Sequence, residues 1–140
     1  YKEMNSNKMG LTDRKYANSS LDSLKSTEIL TSVRRFVEFD KGFVNKEMSL
    51  QLVSKEIGHT TKSISQVVNN EIGMTFSDYI TGLRIEHAKM YLSSREKDYL
   101  SIAGIAEESG FKSISRFNYL FKKHKGMTPK EYKKRELSSN

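Results

Sequence analysis

The chain has 140 residues, a formal net charge of +7, 36% apolar residues, eight Gly, one Pro and no Cys. That composition fits one or two small domains with a modest core, and it argues against a many-turned β protein. It excludes disulfides and thiolate metal sites, and no run of about 18 apolar residues is available to span a bilayer. The chain opens on Tyr1 rather than Met and shows no basic–apolar–small leader, which reads as a piece of a longer protein.

Residues 1–20 are polar and aperiodic and read as disordered or a linker. From about 26 to 39 an amphipathic helix is predicted, with Ile29, Leu30, Val33, Phe36 and Val37 on one stripe, Ser26 or Thr27 as cap and Gly42 as stop. Such a helix has to bury its stripe, either on the domain that follows or against a second copy. Residues 50–57 form a short helix with Leu50, Val53 and Ile57 on one side, broken at Gly58. Thr60 caps a second helix over 61–72, with Ile64, Val67, Val68 and Ile72 inward and Gly73 as stop. Thr75 and Asp78 form a capping box that opens a long helix of about 76–93, whose apolar positions are Phe76, Tyr79, Ile80, Leu83, Ala88, Tyr91 and Leu92. After a charged loop at 94–99, Ser101 caps a helix over 102–109. Gly110 turns the chain, Ser113 caps a helix over 114–125, and Gly126 ends it. Thr128, Pro129 and Glu131 start a last helix over about 129–136.

The two halves repeat. A shift of 53 residues puts Gly73-Met74-Thr75 on Gly126-Met127-Thr128, Tyr79 on Tyr132, Ile64 on Phe117 and Val68 on Phe121. The helix before each turn matches at a shift of 52, with Val53 on Ile105 and Gly58 on Gly110. An indel confined to the turn, with both flanking helices in register, is the signature of two helix-turn-helix units. Charge is uneven between them. Residues 111–135 carry nine cationic side chains against the single acid Glu131, whereas 49–110 are slightly acidic. A basic patch on one module points to a polyanion.

In a DNA-reading helix-turn-helix the second helix enters the major groove. The exposed face of the first such helix offers Thr61, Lys62, Ser65, Gln66 and Asn69, and that of the second offers Ile114, Ser115, Arg116 and Tyr119. Gln and Asn suit adenine edges, Arg suits guanine, and Ile suits a thymine methyl. Lys112, Lys122, Lys123 and Lys125 suit phosphates. The three histidines, His59, His87 and His124, are scattered and resemble neither a metal site nor a catalytic triad, so the chain is not read as an enzyme and no cofactor or metal is expected. The rival reading is an all-α module whose basic face binds an acidic protein or an anionic surface. Against it, a membrane-binding helix would be strongly apolar opposite its basic side.

The run I-x-x-I-A-x-x-x-G-F-x-S-x-S-x-F-x-x-x-F-K-K-x-x-G-x-T-P-x-x-Y, from Ile102 to Tyr132, resembles the DNA-binding domain of the AraC/XylS family of bacterial transcription regulators. Ser65 to Asn69, Gly73, Tyr79, Arg84, Ala88 and Leu92 extend the likeness through about 49–134. The resemblance implies an all-α fold: two helix-turn-helix subdomains, at 49–73 and 101–126, joined by a linker helix at 75–93. A final helix at 129–136 closes a domain of 49–136, and a connector helix lies within 1–48. It also implies two reading helices about one DNA turn apart, ~34 Å, on one face of a promoter. Carried over by position, Lys62, Ser65, Gln66, Ser115, Arg116 and Tyr119 face bases. The family often has Arg where Tyr119 stands, so the guanine contact implied there is not supported by this residue. The partner implied is double-stranded promoter DNA in the cytoplasm. RNA polymerase contact, a homodimer and tethering to a membrane sensor are left open for the full-length protein, and no small-molecule site is visible in this stretch. Residues 15–21 also resemble the connector that precedes this domain in regulators with a membrane or repeat sensor.

Overall fold

The computed structural model describes residues 21–138. The linker expected over 1–20 and the connector likeness that begins at residue 15 therefore lie largely outside the described residues. Helices follow the chain as α1 (21–34, closed by a π-helical turn Arg35–Phe39), α2 (Leu50–Ile57), α3 (Thr61–Val67, closed by a π-helical turn Val68–Ile72), α4 (Phe76–Leu92), α5 (Ile102–Glu108), α6 (Ile114–Lys125) and α7 (Pro129–Ser138). Short 3-10 turns sit at Gly42–Val44 and Arg95–Lys97, and no strand occurs among the described residues.

Local chemistry accounts for most of these ends. The hydroxyls of Thr60, Thr75, Ser101 and Ser113 accept from the backbone N–H three residues on, at 3.0–3.1 Å. Ser49, which the sequence reading did not single out, does the same for Leu52 at 3.1 Å, and Thr128 does so for Glu131 at 3.2 Å. Each bond satisfies one of the orphan donors of a helix start.

The first helix departs from expectation at both ends. It is already helical at residue 21, so Ser26 and Thr27 lie inside it, and the Thr27 hydroxyl donates back to the Ser23 carbonyl at 2.9 Å. Its exit is made by Lys41 in the left-handed region at φ 57°, not by Gly42. Gly42 is needed for space instead: a Cβ there would stand 2.5 Å from the Phe36 carbonyl oxygen. The last helix also runs further than expected, to Ser138.

Two hydrophobic cores form. The first joins Ile29, Val33, Val37 and Phe43 to Val53, Ile64, Val67, Val68, Phe76, Tyr79 and Ile80. The stripe of α1 is thus spent on the unit that follows it. The second gathers Ile85, Ala88 and Leu92 with Ile105, Ala106, Phe111, Phe117, Phe121 and Tyr132. Helix α4 serves both. At about 100° per residue, Phe76, Tyr79 and Ile80 point one way and Ile85, Ala88 and Leu92 point roughly opposite. Ile85, 1% exposed, was absent from the apolar positions read off the sequence because a single-stripe template does not describe a helix that changes its buried face halfway.

Candidate nucleic-acid interface

Both reading helices are held by their inward sides and present their outward sides to solvent. In α3, Ile64 is fully buried, while Lys62, Ser65, Gln66 and Asn69 are exposed and Thr61 is half-buried. In α6, Phe117 and Phe121 are fully buried, while Ile114, Ser115, Arg116 and Tyr119 are exposed. Phe117 packs at 4.9 Å from Phe111 and 5.7 Å from Phe121 (ring centroids), and Phe121 stands 5.5 Å from Tyr132. This aromatic stack seats α6 against α5 and α7 and leaves its outer face free. Large apolar side chains stand out on that face, with Ile114 43% and Tyr119 59% exposed. Every base-facing candidate therefore stands on an exposed helix face except the half-buried Thr61 at the start of α3.

The cationic candidates divide. Lys122 and Lys123 are exposed, and among the described residues no ion pair engages them or the Arg116 guanidinium. Lys112 is loosely paired to Glu47 at 3.4 Å, both side chains being well exposed. Lys125 differs: its ammonium is bonded to Glu86 on α4 and its side chain is only 23% exposed. That hydrogen bond is the main reason the Glu86 carboxyl is held below the usual carboxylate range. Lys125 in this arrangement ties the end of α6 to the linker helix.

One exposed polar side chain escaped the sequence reading. Asn118 lies on the outer face of α6, and the 53-residue shift maps it onto Ser65. The repeat itself was the signal, since any residue chosen in the first helix nominates its counterpart in the second. The same shift maps Arg116 onto Ser63, whose hydroxyl accepts from Thr60 at 2.9 Å inside the N-terminal cap. The two reading helices are thus alike in frame and unlike in surface. One offers small hydrogen-bonding groups. The other offers a guanidinium, an aromatic ring, an aliphatic residue and two unpaired lysines.

Two open clefts flank α3, the first lined by polar groups and by Met48, Leu50, Phe76 and Ile80. A cleft of about 420 Å³ between α2, α3 and the start of α4 includes Ser49, Gln51, Ser65, Thr75, Ser77 and Arg84. On the other flank of α3, a notch of about 290 Å³ is bounded by Asp22, Lys25 and Ser26 of α1 and by Ser63, Gln66 and Asn70. No cluster of His, Asp or Glu able to hold a metal occurs among the described residues, and no helix there is long and apolar enough to cross a membrane.

Residues 53–135 match the model of a helix-turn-helix domain family. The chain is 30% identical over 115 residues to the transcriptional regulatory protein YesN of Bacillus subtilis, covering 81% of this chain and 30% of that protein. It is 31% identical over 124 residues to the transcriptional activator NphR of a Rhodococcus species, covering 89% of this chain and 35% of that protein. The chain therefore spans about a third of the length of these relatives. Among solved structures, the C-terminal domain of AraT, a response regulator from Geobacillus stearothermophilus, is similar at a TM-score of 0.65 and 28% identity, covering 74% of this chain and 84% of that one.

Proposed function

The chain belongs to the AraC-type family of helix-turn-helix transcription regulators, and on that premise we propose that it reads two successive major-groove segments of one promoter with α3 and α6. The observation that carries this is the paired burial pattern. Two units of the same frame each bury one face of their second helix and expose the opposite face, and one helix, α4, is built into both cores. An α-helix presented in this way fits the ~12 Å wide major groove of B-DNA.

Residue roles follow from surface chemistry. In α3, Lys62, Ser65, Gln66 and Asn69 are assigned to base edges, with Thr61 at the helix start. In α6, Ser115, Arg116, Asn118 and Tyr119 are assigned to bases and Ile114 to a thymine methyl. Lys122, Lys123 and Lys112 are assigned to phosphates, with Lys112 first having to leave Glu47. Lys125 contributes less, because its charge is already partnered by Glu86. The domain is read as 49–136, with 1–48 as connector.

In the full-length protein this domain is the output of a longer sensor-regulator in the cytoplasm, a reading supported by the third of their length that the chain spans in YesN and NphR. Leu21 and Leu24, 64% and 65% exposed on α1, are the apolar surface that a homodimer would use. RNA polymerase is the partner expected of a promoter-bound activator such as NphR is named to be.

In-vitro selection from random duplex DNA tests the proposal. The expected result is a bipartite motif whose binding survives competition by random duplex and whose log K falls linearly with log salt. A selection that returns no motif, with heparin or anionic vesicles bound as well as DNA, would overturn it in favour of a generic anionic-surface module.

A further inference from the structure

We propose that residues 42–48, clamped by Arg84, form a second bridge between the two units that fixes the separation and angle of α3 and α6, so that the chain accepts a single spacing between its two half-sites. The inference rests on the DNA-reading proposal and adds a specificity determinant that touches no base. Helix α4, though packed into both cores, is a single rod, and a second tie between the units resists bending and twisting that one rod alone does not. The 42–48 segment closes a ring. Its Phe43 side chain belongs to the first core, while its backbone is pressed against the turn of the second unit.

The contact is tight. A Cβ on Gly110 would lie 2.5 Å from the Phe43 carbonyl oxygen, 3.0 Å from the Val44 Cα and 2.8 Å from the Arg84 Nε. Gly110 also holds φ +96°, where side chains are strained, so the turn requires glycine twice over. Arg84, midway along α4, forks into the segment: its Nε donates to the Phe43 carbonyl at 2.7 Å and an Nη donates to the Asn45 carbonyl at 2.9 Å. Two ion pairs flank this point, Lys46 to Glu107 at 3.0 Å and Lys112 to Glu47 at 3.4 Å. On the inner side the Phe43 ring meets His87 edge-on at 5.5 Å, and His87 in turn bonds the fully buried Ser109 at 3.1 Å. Arg84 is a positioning residue in this scheme. It holds the bracket shut, and the bracket holds the reading helices.

One added base pair moves the second half-site ~3.4 Å along the DNA and about 35° around it. A closed bracket cannot follow that move, whereas an open one can. The test uses the whole chain and the selected duplex, with zero, one, two and five base pairs inserted between half-sites. The wild type is expected to lose about tenfold or more per inserted pair over the first two. Arg84→Ala is expected to lose affinity at native spacing, to discriminate less than threefold among the neighbouring spacings, and to keep the same base preference within each half-site. Arg84→Lys, which keeps the charge and loses the fork, is expected to fall between. Because the chain has no cysteine, Glu71→Cys and His124→Cys can carry spin labels. The distance distribution between them in free protein should be narrow in the wild type and broadened by Arg84→Ala. If Arg84→Ala loses its helical circular dichroism, the same readouts are taken on Arg84→Lys and on a Glu47→Gln, Glu107→Gln pair, which breaks both flanking ion pairs and keeps the cations.

A wild type indifferent to spacing overturns the inference, as do Arg84 variants that stay narrow and weaken every spacing in the same ratio. A failed selection would sink the DNA-reading proposal instead, and the label distances, measured without DNA, would still decide the bracket.

Discussion

At the scale of single residues, position on the reading helix separates two kinds of charge. Arg116 sits near the start of α6 with an exposed, unpaired guanidinium, where a bidentate contact to a guanine edge is possible. Arg116→Ala should cost about 1–3 kcal/mol on the selected site and relax one base position. Lys123→Ala, further along the helix, should weaken all duplexes alike and lower the salt slope by about one. Titrations on selected and scrambled duplexes distinguish them, and an Arg116→Ala loss equal on every sequence would demote Arg116 to a phosphate contact. His87 makes a different prediction. Burial first, then the Lys41 charge, pushes its pKa below the ordinary 6.5, with Glu108 opposing. The folded chain therefore resists protonating a group that the unfolded chain protonates freely. Stability should be full above pH 6.5 and should fall as pH drops through 6.5 towards the folded value. Thermal melts between pH 7.5 and 5 should show this slope, and His87→Gln should remove the part that His87 supplies.

At the scale of elements, the helix starts were the most legible feature of the sequence, because a cap is a local bond between residues three apart. Thr60, Thr75, Ser101 and Ser113 all cap as their positions implied. Thr75→Ala should therefore cost about 1 kcal/mol, measured as a lower urea midpoint, with a Thr75→Ser variant close to wild type. An unchanged midpoint in Thr75→Ala would mean that α4 is held by its two cores alone. The exposed outer faces of α3 and α6 were legible for a related reason: their opposite faces carry a clear apolar period. What was not legible depends on contacts far apart in sequence. The partnering of Lys125 by Glu86 spans 39 residues, and nothing in the basic run around Lys125 distinguishes it from Lys123. The role of Gly42 as a close approach to Phe36, rather than a helix stop, appears only once the π-helical turn and Lys41 have brought the chain back onto the end of α1. Ile85 was missed because α4 turns one face to the first core and nearly the opposite face to the second.

At the scale of the whole molecule, that divided helix has a thermodynamic consequence. Two cores of this size on separate rods would melt independently, each with a modest enthalpy. Here α4 cannot unfold at one end without loosening the other, and the Phe43 ring against His87, the close approach of Gly110 to the Phe43 backbone and the Arg84 fork add connections across the same boundary. Local openings should therefore be confined to the outer parts, such as the exposed start of α1 near Leu21 and Leu24 and the end of α7. Global unfolding should be a single transition. Differential scanning calorimetry of the chain is expected to give a calorimetric enthalpy equal to the van't Hoff enthalpy, and helical circular dichroism and tyrosine fluorescence should melt together. The tyrosines suit this comparison, since Tyr79 is buried in the first core and Tyr132 in the second. Tyr79→Phe removes the first core's buried tyrosine and leaves Tyr91 and Tyr132 packed in the second, so its fluorescence is weighted to the second unit. If the fluorescence of Tyr79→Phe melts at a different temperature from its circular dichroism, or circular dichroism shows two steps, the units are thermodynamically separate, and α4 is a tether rather than a shared core element.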